Sequence, residues 1–126
     1  MYADGVTGDE LLKVLSTLAN PHRMRVVAAL AGDRNYVSAL ARDLGISRAL
    51  LQVHLRKLES AGLVRSSVEV SGDGKAMKFY EVAPFGLYLT PEAIAIAARS
   101  LSADNSTDNS TDNSSTTDKD LTEELR

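Results

Sequence analysis

The chain has 126 residues, a formal net charge of −3 and no cysteine, which leaves room for one compact domain and excludes both a disulfide framework and a thiolate metal site. No apolar run approaches the roughly 20 residues of a membrane-spanning helix, and the N-terminus, with Asp4, Asp9 and Glu10, lacks the basic-then-apolar layout of a signal peptide, so a soluble, cytoplasmic protein is expected. The charge is uneven: from Asp104 onward seven acidic residues stand against two basic ones, whereas Arg34 to Lys78 holds eight basic and four acidic, a modestly basic middle.

Apolar residues recur at Leu11, Leu12, Val14, Leu15 and Leu18, which is helical spacing, with Thr7 or Asp9 available as its cap. Asn20-Pro21 ends this first helix and opens a second, through Met24, Val26, Val27, Ala28 and Leu30, that stops near Gly32. A short third helix over Val37 to Leu44 buries Leu40, Ala41 and Leu44 and closes on Gly45. A fourth follows Ser47 as N-cap and ends near Gly62. Beyond Gly62 the period changes. "LVRSSVEV" and "KAMKFYEV" are rich in β-branched and aromatic residues and flank Ser71-Gly72-Asp73-Gly74, which predicts a hairpin. Thr90-Pro91-Glu92 then starts a last helix through about Leu101.

The predicted fold is therefore mainly α with a β-hairpin wing, in the order α-α-α-α-β-β-α. Residues 1–8 form an N-terminal extension, 9–101 the domain, and 102–126 an acidic tail built on an Asp-Asn-Ser-Thr repeat that has nothing to bury and is expected to be disordered.

Two short helices joined by "LGIS", with glycine in the turn and serine at the head of the second, have the layout of a helix-turn-helix. Apolar or small residues at Leu40, Ala41, Leu44, Ile46 and Leu51 would lock the pair. The ribbon that follows at once makes the layout that of a winged helix, whose second helix enters the major groove while the ribbon tip lies along the backbone or minor groove. At about 100° per residue, Leu51, Leu55 and Leu58 point inward on the fourth helix, and Ala49, Gln52, Val53 and Arg56 point outward. Gln52 can pair with an adenine edge, Arg48 and Arg56 can reach guanine or phosphate, and Val53 or Ala49 can meet a thymine methyl group. The candidate DNA-binding residues are thus Ser47, Arg48, Ala49, Gln52, Val53, Arg56 and Lys57 on the major-groove side, with Lys75 and Lys78 on the wing.

"LANPHRMRVVAAL", "VSALARDLGIS" and "LQVHLRKLESAGLV" together resemble the ArsR (ArsR/SmtB) family of winged-helix transcriptional regulators over roughly residues 10 to 100. The resemblance implies a homodimer held by the first and last helices, presenting two recognition helices to a palindromic operator of double-stranded DNA. Those helices have apolar surface to spare: Leu11, Leu15 and Leu18 in the first, and Ile94, Ile96, Ala97, Ala98 and Leu101 in the last. Burial within one chain is the alternative use of the same residues.

Many members of that family sense metals through cysteines in the helix before the recognition helix, or through His and carboxylate ligands in the last helix. Here these segments are "VSALARDL" and "PEAIAIAARSL", with no cysteine or histidine, and Glu92 alone makes no site. No cofactor is expected at the usual positions. His54, some 60° from the leucine row by helical geometry, is expected to pack and hydrogen-bond at the helix boundary. His22 sits beside Arg23 near a helix N-terminus, which disfavours further positive charge. Among non-standard metal sites, the most favourable is one between subunits that joins His22 or His54 to N-terminal carboxylates. A separate sensor protein could supply the signal instead. With no phosphate loop and no nucleophile set, an enzyme is not expected. The competing function is a winged helix that docks on another protein through its exposed recognition helix.

Overall fold

The computed structural model describes residues 6–102. Most of the expected N-terminal extension and all of the acidic tail beyond Ser102 lie outside the described residues. The elements are α1 (Gly8–Leu18), α2 (Pro21–Gly32), β1 (Asn35–Tyr36), α3 (Val37–Leu44), α4 (Arg48–Ser60), β2 (Val64–Val70), β3 (Ala76–Val82) and α5 (Pro91–Ala98).

Each α-helix except α3 begins on a side-chain cap. For α1 the cap is Thr7, one of the two candidates: its Oγ1 accepts from the Glu10 N–H at 3.1 Å, and Glu10 Oε1 accepts from the Thr7 N–H at 3.0 Å, a reciprocal capping box. Asn20, Ser47 and Thr90 accept in the same way from the N–H groups of Arg23, Leu50 and Ala93. Between α3 and α4 the chain reverses through Gly45 at φ 70°, where a Cβ would be strained. The Ile46 N–H then reaches back to the Ala41 carbonyl at 3.2 Å, closing α3.

The core is built around the inner row of α4. Leu51, Leu55 and Leu58 are fully buried against Val14 of α1, Val26 and Leu30 of α2, Leu40 and Ala41 of α3, and Leu63, Val64 and Tyr80 of the ribbon. Each such leucine contributes roughly 1.5–3 kcal/mol by leaving water.

The structure adds one strand to the expected order. Asn35 and Tyr36 pair antiparallel with Tyr80 and Phe79, so the sheet runs β1-β3-β2. A two-residue strand has no period to detect; it exists because the edge of β3 is there to pair with. The hairpin itself runs in register from Val64↔Val82 to Val70↔Ala76 around the predicted turn.

The last helix is shorter than expected. After Ala98 the N–H groups of Arg99, Ser100 and Leu101 donate three residues back, to Ile96, Ala97 and Ala98, a tighter turn than the α-helix. That turn meets the head of α1. The Gly8 N–H donates to Ser100 Oγ at 2.8 Å, and the Ser102 N–H donates to Asp9 Oδ1 at 3.1 Å. A Cβ at Gly8 would collide with the Ala97 carbonyl oxygen and lie 2.8 Å from Leu101 Cγ, so glycine is required for this approach.

Substituting Gly8→Ala is expected to lower the free energy of unfolding by about 1–3 kcal/mol. Gly32→Ala, whose added methyl would meet open space, is expected to be neutral or stabilising by less than about 1 kcal/mol. Urea unfolding of both variants checks the pair.

Candidate nucleic-acid interface

The leucine row of α4 faces the core, which turns the opposite side of the helix to solvent. Arg48, Ala49, Val53, Arg56 and Lys57 are exposed, and Gln52 is half-buried at the edge of the same face. Val53 is 39 % exposed and Leu50 equally so, an apolar element on a face that otherwise carries cations. Leu50 joins this face although helical geometry did not single it out. The Ser47 hydroxyl is committed to capping, accepting from the Leu50 N–H at 3.0 Å. Its position at the head of α4 nevertheless brings it to the same surface.

The wing carries its charges in two different settings. Lys75 lies at the hairpin tip, where the Ser71 N–H donates to the Lys75 carbonyl at 2.8 Å and the Lys75 N–H donates to Asp73 Oδ1 at 3.2 Å. Lys78 is exposed but leans over the Tyr80 ring, its Nζ 5.4 Å from the centroid, a favourable cation–π geometry. Two other cations of the basic middle are already paired. Arg34 binds Glu69 with both terminal nitrogens, one at 3.0 Å, and lies 4.4 Å over the Phe79 ring. Arg65 pairs with Glu81 at 2.8 Å. Of the eight cations of the basic middle, the six outside these ion pairs are Arg42 on α3, Arg48, Arg56 and Lys57 on α4, and Lys75 and Lys78 on the wing.

His54 is buried behind this face, as its position beside the leucine row suggested. Its Nδ1 lies 3.3 Å from Arg23 Nη1 and its ring 5.3 Å from that of His22. Arginine can only donate, so Nδ1 accepts and the proton sits on Nε2, which is buried without a hydrogen-bond partner among the described residues. The arrangement suits a neutral imidazole. Burial, and then the charges of Arg23, His22 and Lys57, hold its pKa below the ordinary histidine value. Among the described residues no group of three or more His, Asp or Glu side chains is placed to hold a metal ion. No helix among them is long and apolar enough to cross a membrane.

Leu11 and Ala97 are corrections to the expected apolar surface. Both are buried inside the chain, at 7 % and 6 % exposure, because α1 and α5 pack on each other. The apolar surface these two helices present comes from Leu12, Leu15, Ile94, Ile96 and Leu101, all exposed. Leu18 is partly buried against the core, and Ala98 is exposed.

A model described as a helix-turn-helix domain matches residues 18–67, the span from the end of α1 into β2. An uncharacterized HTH-type transcriptional regulator of Methanocaldococcus jannaschii is 33 % identical over 85 residues, covering 68 % of this chain and 88 % of that protein. The chain belongs to the helix-turn-helix transcriptional regulators. Its winged fold is shared with solved structures. One is the homodimeric winged helix-turn-helix DNA-binding domain of a possible ArsR-family regulator from Mycobacterium bovis, at TM-score 0.54 and 22 % identity over 82 % of this chain and 83 % of that one. Another is an ArsR-like transcriptional regulator from Rhodococcus sp. RHA1, at TM-score 0.52 and 23 % identity over 90 % and 88 %. The chain is thus a helix-turn-helix transcriptional regulator with a winged fold, and α4 is the second helix of its helix-turn-helix.

The buried neutral histidine makes the regulator's stability depend on pH. An unfolded histidine binds a proton near pH 6.5, whereas folded His54 resists it. Its contribution is therefore intact above that pH and is lost as the pH falls through it toward the lower folded value. Urea unfolding at about pH 7.5 and about pH 5.5 is expected to show a decline in stability that is smaller in His54→Gln. Equal declines would remove His54 as its source.

Proposed function

We propose that the regulator binds a palindromic operator as a homodimer, with α4 of each subunit in a major groove. The observation that carries this reading is the outer face of α4. It sets an exposed valine among Arg48, Arg56 and Lys57, on a helix whose opposite row is completely buried. Val53 and Ala49 suit thymine methyl groups, Gln52 an adenine edge, and the arginines guanine or phosphate. Ser47 and Lys57 flank that surface at its two ends, and Lys75 and Lys78 on the wing meet the backbone. Regulation then follows from occupying a promoter, by blocking or recruiting polymerase. Nothing in this reading calls for catalysis.

The dimer reading is supported by the exposed Leu12, Leu15, Ile94, Ile96 and Leu101, which a soluble monomer would leave in water. The Mycobacterium bovis domain of the same fold is described as homodimeric. A two-fold pair of recognition helices requires half-sites about one helical turn apart, roughly 34 Å centre to centre. A second reading, docking of the winged helix on a partner protein, is favoured by Val68 and Val70, exposed on the outer strand of the wing.

Selection from randomised duplexes is expected to enrich a palindrome. Arg56→Ala should weaken binding to it by about 1–3 kcal/mol, and Gln52→Ala should relax the preference at one position of each half-site. Lys75→Ala should weaken binding evenly across sequences and reduce the salt slope by about one. Salt-tolerant retention with no enriched sequence would favour the protein-docking reading. Ile94→Lys is expected to shift sedimentation toward the monomer and to lower operator affinity with it; an unchanged dimer would place the interface elsewhere.

A further inference from the structure

A recess of about 570 Å³ lies between α1, the head of α2 and the flank of α4, within the roughly 300–1,000 Å³ typical of small-molecule sites. Four cations line it, Lys13, Arg23, Arg56 and Lys57, and no carboxylate does. Neither ion pair among the described residues involves any of the four. The Ser60 hydroxyl adds a donor beside them, whereas the Ser16 hydroxyl donates to the Lys13 carbonyl at 3.2 Å.

Arg23 is the fixed element. Its Nε donates to the Thr17 carbonyl at 2.6 Å and its Nη1 to His54 Nδ1 at 3.3 Å. Both acceptors are neutral, so the guanidinium is oriented without being neutralised. Its field reaches the neighbouring imidazole, where Arg23 and Lys57 add to burial in disfavouring the proton. Depth separates the lining residues. Thr17 is buried and Arg23 half-buried, whereas Lys13, Arg56 and Lys57 are exposed at the rim. The exposed rim cations are open to a duplex phosphate and to a small anion alike. A small anion can enter and meet Arg23 as well, in the oriented, charge-assisted geometry that favours phosphate.

We propose that this recess binds a small, multiply charged phosphate-type anion, and that its occupation withdraws Arg56 and Lys57 from DNA. The second half rests on the DNA-binding face proposed above, since Val53, Arg56 and Lys57 belong to both surfaces. The first half stands without it. The recess thus makes DNA affinity depend on an anion that need not touch the base-reading face.

The test is a titration of the full chain with inorganic pyrophosphate, with chloride adjusted to hold ionic strength constant, followed by amide chemical shifts and repeated as competition against the selected duplex. Saturable shifts centred on Lys13, Thr17, Arg23 and Lys57 are expected. Lys13→Gln, which leaves the reading face intact, should weaken pyrophosphate about fivefold and raise by the same factor the concentration that displaces the duplex. Shifts that do not saturate, or that centre on Lys75 and Lys78, overturn the site. Saturable binding with unchanged duplex affinity overturns the competition. If Lys13→Gln weakens the duplex with no pyrophosphate present, the recess serves a backbone phosphate and the free-anion site is overturned. A chain that binds pyrophosphate as expected but no duplex at all fails the DNA-binding reading and not the site.

Discussion

The row formed by Leu51, Leu55 and Leu58 decides how the rest of the molecule is used. These side chains are fully buried at the meeting point of α1, α2, α3 and the ribbon, and burial of three leucines outweighs any surface interaction α4 makes. Because the row is fixed, so is the rotation of the helix, and Val53, Arg56 and Lys57 have nowhere to go but outward. A surface suited to a DNA groove is thus the complement of a packing requirement. Gly45, at positive φ, completes the constraint by letting α3 stop abruptly enough for α4 to start from Ser47.

Electrostatics is shaped by the same packing. Folding brings Arg34 to Glu69 and Arg65 to Glu81 across the sheet, which removes two cations from the basic middle of the chain. The ones that remain are Arg42 on α3, three along α4 and two on the wing, with Arg23 and Lys13 beside α4. Burial and the neighbouring Arg23 favour the neutral form of the His54 imidazole. The positive field of this side of the domain therefore acts inward on His54 as well as outward on an anionic partner.

At the opposite end, α1 and α5 are joined through Gly8, Ser100 and Asp9. Their contact consumes Leu11 and Ala97 and leaves a different set of apolar side chains facing solvent. The helical period had placed all of these residues on amphipathic helices but could not say which stripe the partner helix would cover. That division depends on a close backbone approach, which only the pairing of the two chain ends creates.

The amino-acid order alone determined the approximate helices, the caps at Ser47 and Thr90, the hairpin and the outward face of α4, because each rests on local rules: a 3.6-residue period, a capping hydroxyl, a glycine turn. It also carried the resemblance that led to the regulator family, through segments contiguous along the chain. Tertiary structure decided what depends on residues distant in sequence. The strand at Asn35–Tyr36 exists only beside β3, the paired arginines are silenced only across the sheet, and Lys13 and Arg23 meet Arg56 only where α1, α2 and α4 converge. No local pattern encodes such encounters, since their energy comes from neighbours that the chain order keeps apart.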